Sequence, residues 1–375
     1  MTEVPSDPPA PAASSRSELA QARRIVVKIG SRALAGDTET PHHLAEQIAA
    51  AVQGKRACVL VSSGAIAIGC ARLGYKQRPK EMARLQAAAA AGQSVLMRRY
   101  DEAFAAFGMT AAQVLLTHAD LADRERLNNA REAFAALLEA GAVPIVNEND
   151  TVATDEIRFG DNDQLAAMVT PLVGAELLVL LTDMEGVLGP DGKRISTMTD
   201  QTEIGQVASN AERVGSGGIS SKLDAARKGC RAGANVVIAK ASHPNVLSEV
   251  LNGADVGTFF PRSGPALRAR KHWIAFTLRP RGTILLDGGA AAAMAAGKSS
   301  LLPVGVLGVR GQFDPGDSVR LVAPDGSEVA RGLTRLGALD VARSAGKKGR
   351  ELDLLFGIDG SDVIVVHKDD LVVAT

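Results

Sequence analysis

The chain has 375 residues, in which 42 Lys and Arg balance 42 Asp and Glu. That length exceeds what one hydrophobic core usually fills, so two domains are expected, and zero net charge excludes a whole-protein field that would gather nucleic acid or a membrane surface. No stretch is long and apolar enough to span a bilayer, and aromatics are only 3% of residues, so the core must be built from Ala, Val, Leu and Ile.

Residues 1–22, rich in Pro, Ala and Ser and without an apolar leader segment, read as a disordered tail. Residues 24–29 (RIVVKI) form a buried strand with one cation, Lys28, just before Gly30 and Ser31. A charge in that place needs an anion, and a glycine turn lets backbone N–H groups approach one. Thr40 as cap and Pro41 at the first position open a helix reaching about Gln53. A second buried strand, 57–62, runs into Ser63, Gly64 and Ala65 at the start of another helix. Ser63 either binds a carboxylate or phosphate there or simply caps the helix. No GxSxG surrounds it, which argues against a hydrolase elbow.

Residues 79–107 read as a long Ala-rich helix interrupted at Gly92, its apolar face packed on another helix or subunit. A third strand over 111–116 and an amphipathic helix over 123–139, closed by Gly141, precede an apolar run at 142–146. There the chain enters its most polar stretch, NENDTVATDEIRFGDND at 147–163, with six carboxylates, three carboxamides and one cation, Arg158. Such density needs solvent, a bound cation or an ammonium group to relieve it. A solvated acidic loop is the plain alternative. Its place after a buried strand, with Gly160 ahead of a helix start at 161–163, is nonetheless where ligands collect in open α/β sheets.

The most apolar strand, 176–181, ends at Thr182 and Asp183, which either cap the next turn or bind magnesium or nucleotide groups. Residues 215–222 (GSGGISSK) lead into a helix over 223–231 and place Lys222 in its first turn. Glycines, serines, a helix amino end and a lysine together have the composition of a phosphate site. Neither the Walker pattern nor GxGxxG fits it, and the lookalike Gly297-Lys298-Ser299 has Ala292 where the first Walker glycine belongs. A strand over 236–239 closes the sheet and a loop follows to about Arg270. Strands alternating with helices predict an α/β fold, a mostly parallel open sheet sandwiched by helices. From 281 onward, short β-prone runs at 283–286, 304–309, 318–322 and 363–366 indicate a small β-rich domain. Its 11 basic and 12 acidic residues make a poor nucleic-acid footprint, and the locally basic 335–350 reads as a solvated loop. Cys58, Cys70 and Cys230, without CxxC spacing, are expected as core residues in a reducing cytosol.

Six motifs in this order, VVKIGS at 26–31, SSGAIAIG at 62–69, NEND at 147–150, FGDND at 159–163, LLTD at 180–183 and SGGISSK at 216–222, resemble the amino acid kinase family. Residues 281–375 resemble the PUA domain that bacterial members often carry. The resemblance spans about 24–375 and implies a kinase domain at 23–275, a linker at 276–280 and the PUA-like domain at 281–375. The pairing of NEND with GDND is similar to the branch of the family that phosphorylates glutamate. It implies Mg2+-assisted transfer of the ATP γ-phosphoryl group to the side-chain carboxylate of L-glutamate in the cytoplasm, giving L-glutamyl 5-phosphate, the first step towards proline. On the same resemblance Lys28 and Lys222 hold the phosphates, with Thr182, Asp183, Ser216, Gly217, Gly218, Ile219, Ser220 and Ser221 completing the ATP site. Ser63, Asp150 and Asn162 bind glutamate, Asp163 positions the two lysines, and no set of protein metal ligands is implied. Feedback inhibition by L-proline and a homo-oligomer are implied as well. Ser221 stands where Thr is expected in many relatives, and it keeps the hydroxyl. The alternatives are a sibling kinase acting on another carboxylate or phosphate acceptor, and an RNA-binding protein that uses the PUA-like domain and keeps an inactive kinase fold.

Overall fold

The computed structural model describes residues 14–35, 39–153, 162–199, 217–263 and 269–374. They fall into two compact units divided between Ala266 and Leu267. The first runs β1 (Arg24–Ile29), α1 (Ser31–Ala35), α2 (Thr40–Gln53), β2 (Ala57–Ser62), α3 (Ala65–Arg72), α4 (Met82–Ala105), β3 (Ala111–Leu116), α5 (His118–Ala122), α6 (Arg124–Glu139) and β4 (Val143–Glu148). It continues through α7 (Asn162–Leu172), β5 (Leu177–Thr182), α8 (Gly217–Arg231), β6 (Asn235–Lys240), α9 (Val246–Leu251) and β7 (Thr258–Phe260).

Its sheet has the order β3-β4-β2-β1-β5-β6-β7, parallel throughout except at β7, which pairs antiparallel with β6. The chain therefore leaves β1 towards β2 on one side and returns to place β5 on the other. That reversal opens a crevice at the carboxyl ends of β1, β2 and β5, where open α/β sheets bind ligands.

Strand alternation decides what enters the crevice. Ile25, Val27 and Ile29 join Leu44, Ile48, Tyr100 and Phe104 in the core under α2 and α4. Val26 faces the other way, into the core under α7 and α8 with Leu165, Val169, Leu223 and Ala226. Lys28 shares the parity of Val26, so its ammonium is aimed at α7 and α8.

The second unit holds α10 (Ala269–His272), β8 (Gly282–Leu286), α11 (Gly288–Ala295), β9 (Val306–Gly311), β10 (Ser318–Val322), β11 (Glu328–Thr334), α12 (Ala338–Ser344), α13 (Arg350–Phe356) and β12 (Val366–Val373). Its sheet, β12-β11-β10-β8-β9, is antiparallel except between β8 and β10 and closes on Ile284, Leu286, Val319, Leu321 and Leu371.

Several expectations change. Residues 16–21, read as tail, form a 3-10 turn with Leu19 fully buried, and the Arg16 guanidinium donates to the carbonyls of Ser196, Ala254, Val256 and Gly257. Glu39, not Thr40, is the cap residue of α2, and Pro41 lies within its first turn. The sheet does not close at β6, because the segment read as a loop supplies α9 and β7. The basic segment 335–350 contains α12, and the last strand begins at Val366, where the strand read over 363–366 was to end. Residues 1–13, 36–38, 154–161, 200–216, 264–268 and 375 lie outside the described residues, and with them Gly160, Asp161 and the candidate Ser216; of the helix start read over 161–163, Asn162 and Asp163 are the first described residues of α7.

Gly92 does not interrupt α4. A Cβ there would sit 1.8 Å from the Ala65 carbonyl oxygen, and one on Gly69 would sit 1.7 Å from that of Ala88, so α3 and α4 meet backbone to backbone. Gly92→Ala is therefore expected to cost more than the roughly 1–3 kcal/mol of ordinary overpacking, since a carbonyl cannot step aside as a side chain can. Urea denaturation would show it as a lower midpoint; an unchanged midpoint would mean that the two helices separate freely.

Candidate functional site

Lys28 at the end of β1, Asp163 in the first turn of α7 and Lys222 in α8 come from three separate parts of the chain and meet at one point. The Lys28 ammonium lies 2.5 Å from Asp163 Oδ1 and that of Lys222 lies 2.8 Å from Oδ2. All three are buried, at 5%, 3% and 8% exposure. Burying ions costs several kcal/mol each, a cost that the two ammonium groups offset by sharing one carboxylate, and the sharing fixes both side by side in a poorly solvated place. An arrangement of that kind is built to receive an anion. Lys222 also donates to the Gly218 carbonyl at 3.5 Å. Because α8 already includes Gly217, Lys222 lies in its second turn and not its first as the sequence reading had it.

At the end of β5 the Thr182 hydroxyl donates to Asp183 at 3.0 Å, and Asp183 pairs with Arg32 of α1 at 2.9 Å. Burial pushes the Asp183 carboxyl up, but the Thr182 hydroxyl, its own backbone amide and the Arg32 and Lys222 charges outweigh that and hold it below its usual range. Arg32 also reaches Gly218, where an added Cβ would lie 3.3 Å from its guanidinium. Thr182, Asp183, Gly218 and Lys222 therefore surround one region.

Beside it lies a pocket of about 80 Å³ lined by Ser63, Arg78, Asn147, Glu148, Asp150 and Asn162 with the start of α3. Its hub is the Asn162 carboxamide, whose nitrogen is 2.9 Å from the Ser62 carbonyl, Ser63 Oγ and Asn147 Oδ1 alike. Asn147 in turn donates to Gln93 of α4 at 2.8 Å, and Tyr100 of the same helix bonds Ser62 at 2.8 Å. Ser63 is no cap: the cap residue of α3 is Gly64, at φ 111°, a left-handed backbone that glycine adopts without strain. Burial pushes the Asp150 carboxyl up to about 6 against the charge of Arg78, which favours the ionised form.

Residues 23–240 match the model of the amino acid kinase family and residues 282–354 that of the PUA domain. The chain belongs to the amino acid kinase family. Among its curated relatives are the glutamate 5-kinases of Gloeobacter violaceus, 46% identical over 93% of this chain and 98% of that protein, and of Myxococcus xanthus, 44% identical over 96% and 98%. That of Thermus thermophilus is 44% identical over 93% and 97%. The solved N-acetylglutamate synthase of Neisseria gonorrhoeae, complexed with coenzyme A and N-acetyl-glutamate, has a TM-score of 0.51 at 19% identity over 66% of this chain and 61% of that one, a likeness of fold alone.

For this amino acid kinase, the sequence-predicted Lys28, Asp163 and Lys222 share one centre, and Ser63, Asp150 and Asn162 share one pocket. Asn147, Arg78 and Arg32 were not singled out from sequence, nor were Gln93 and Tyr100. Asn147 had a signal in NEND; the others carry none, because a polar residue on an Ala-rich helix, or an arginine on a short helix or connecting segment, looks like ordinary surface. Asp163→Asn leaves two buried ammonium groups without their shared carboxylate and is expected to cost about 3–5 kcal/mol of stability. Urea melts would register this, and a midpoint equal to the parent's would show that the carboxylate does not hold the centre together.

Proposed function

We propose that the chain transfers the γ-phosphoryl group of ATP to the side-chain carboxylate of L-glutamate, giving L-glutamyl 5-phosphate at the first step towards proline. The convergence of Lys28 and Lys222 on Asp163 beside an amide-lined acidic pocket carries this reading. The near-full-length similarity to glutamate 5-kinases supports it.

The acceptor carboxylate, with an unperturbed pKa of about 4.3, is already ionised at neutral pH and needs no general base. The barrier is an anion approaching a polyphosphate. Lys28 and Lys222, fixed in advance by Asp163, put positive charge where the transferred group becomes most negative, so no reorganisation is needed at the moment of reaction. Thr182, Asp183 and residues 216–222 hold the nucleotide. Ser63 and Asn162 orient glutamate, and Asp150 pairs with its α-ammonium, which disfavours acylated amines.

Mg2+ fits as an ion carried by the nucleotide. Among the described residues no cluster of three or more His, Cys, Asp or Glu is placed to hold a metal, while Mg2+ usually binds through phosphate oxygens, water and one or two carboxylates. When bound it neutralises charge on the β- and γ-phosphates. Inhibition by L-proline at the glutamate pocket and a homo-oligomeric state belong to the same reading. So does a cytoplasmic setting, in keeping with three buried free cysteines; no helix among the described residues is long and apolar enough to cross a membrane.

ADP release should require L-glutamate and Mg2+ together and be negligible with N-acetyl-L-glutamate or aspartate. Turnover on either of those but not glutamate would overturn the assignment. Lys222→Ala leaves the Lys28 and Asp163 pair in place, so the fold survives while kcat falls about 10²–10³-fold or more; near-parental kcat in the folded variant would refute the role given to Lys222. Asp150 must be ionised to hold an ammonium. Since its carboxyl titrates near 6, glutamate kcat/KM should be full above that pH and decline as pH falls through it, and Asp150→Asn should remove that acid limb along with most of the affinity. A profile of identical shape in that variant would place the titrating group elsewhere.

A further inference from the structure

The described residues lining the glutamate pocket include one cation, Arg78, alongside the anions Glu148 and Asp150. Arg78 lies in the segment between α3 and α4 and is exposed, while Asp150 follows β4 and is partly buried. They face the same cavity closely enough for the guanidinium to act on the Asp150 carboxyl.

Glutamate brings three charged ends to this pocket. The reacting carboxylate must lie towards the phosphate centre, on the side of Ser63 and Asn162, because Asn162 adjoins Asp163 in α7. The α-ammonium goes to Asp150, a carboxylate lining the same pocket. The α-carboxylate hangs from the same carbon as that ammonium, so it needs a donor next to Asp150. A guanidinium presents a planar fork matched to a carboxylate, which an ammonium or a hydroxyl does not. We propose that Arg78 pairs with the α-carboxylate of the acceptor, so that Arg78 and Asp150 together select an α-amino acid head group. The site then accepts only substrates carrying both charges on one carbon, and a 4-aminobutyrate-like molecule with a reactive carboxylate but no α-carboxylate is rejected.

This rests on the proposed glutamate reaction, and the two fail differently. No glutamate-dependent ADP release from the parent protein would defeat the reaction itself. With that reaction present, Arg78→Ala is expected to raise the glutamate KM about tenfold, as befits a charge-assisted contact at a partly open site, while kcat changes little. Arg78→Lys should recover part of the loss. Glutamic acid α-amide, which keeps the ammonium and the reacting carboxylate but has lost the α-carboxylate charge, should be a poor substrate of the parent and no poorer a substrate of Arg78→Ala. An unchanged glutamate KM in Arg78→Ala would overturn the pairing. So would an equal loss on glutamate and on its α-amide, which would make Arg78 a support of the loop and not a reader of the substrate.

Discussion

Two ammonium groups on one buried carboxylate hold the functional end of this molecule together. Lys28, Asp163 and Lys222 belong to β1, α7 and α8, and their contacts at 2.5 and 2.8 Å tie two helices to the central strand. A buried ion pair seldom adds net stability compared with apolar packing, because desolvation offsets the attraction. Its persistence here has another purpose: the charges are already stripped of water and fixed when a phosphate arrives.

The first turn of α7 links the two halves of the site. Asn162 and Asp163 are neighbours in sequence, and the helix turns them by about a hundred degrees relative to each other. Asn162 thereby reaches Ser62, Ser63 and Asn147 in the pocket, while Asp163 reaches the lysines. A small shift of α7 moves both subsites together, which suits a reaction in which acceptor oxygen and phosphorus must approach in register. Helix α4 steadies the pocket from behind through Gln93 and Tyr100, and its close seat on α3 is possible because Gly69 and Gly92 have no side chains.

The sequence pattern reached most of this. Continuous apolar runs marked β1, β2, β4 and β5, since a strand covered on both faces has no polar side to show. It missed where a signal was local and the structure non-local. Leu19 looked like part of a tail because its burial depends on segments more than two hundred residues away, among them the carbonyls that hold Arg16. Gly92 looked like a helix breaker because the reason for it is a carbonyl on another helix. The edge strand β7 is only three residues long, too short to show a period.

The residues themselves determined that this protein would have a mostly parallel sheet, an appended β-rich unit, and lysines, acidic and amide groups at the ends of buried strands. Chemistry of that sort follows from composition at fixed places along the chain. Which groups meet was decided by tertiary structure alone. The parity of β1 aims Lys28 at α7 and α8, the strand order brings β5 beside β1, and the α3–α4 connection carries Arg78 to the rim of a pocket walled by residues from far along the chain. Distances between charges depend on how helices and strands stack, and no periodicity along one segment encodes where another segment comes to rest.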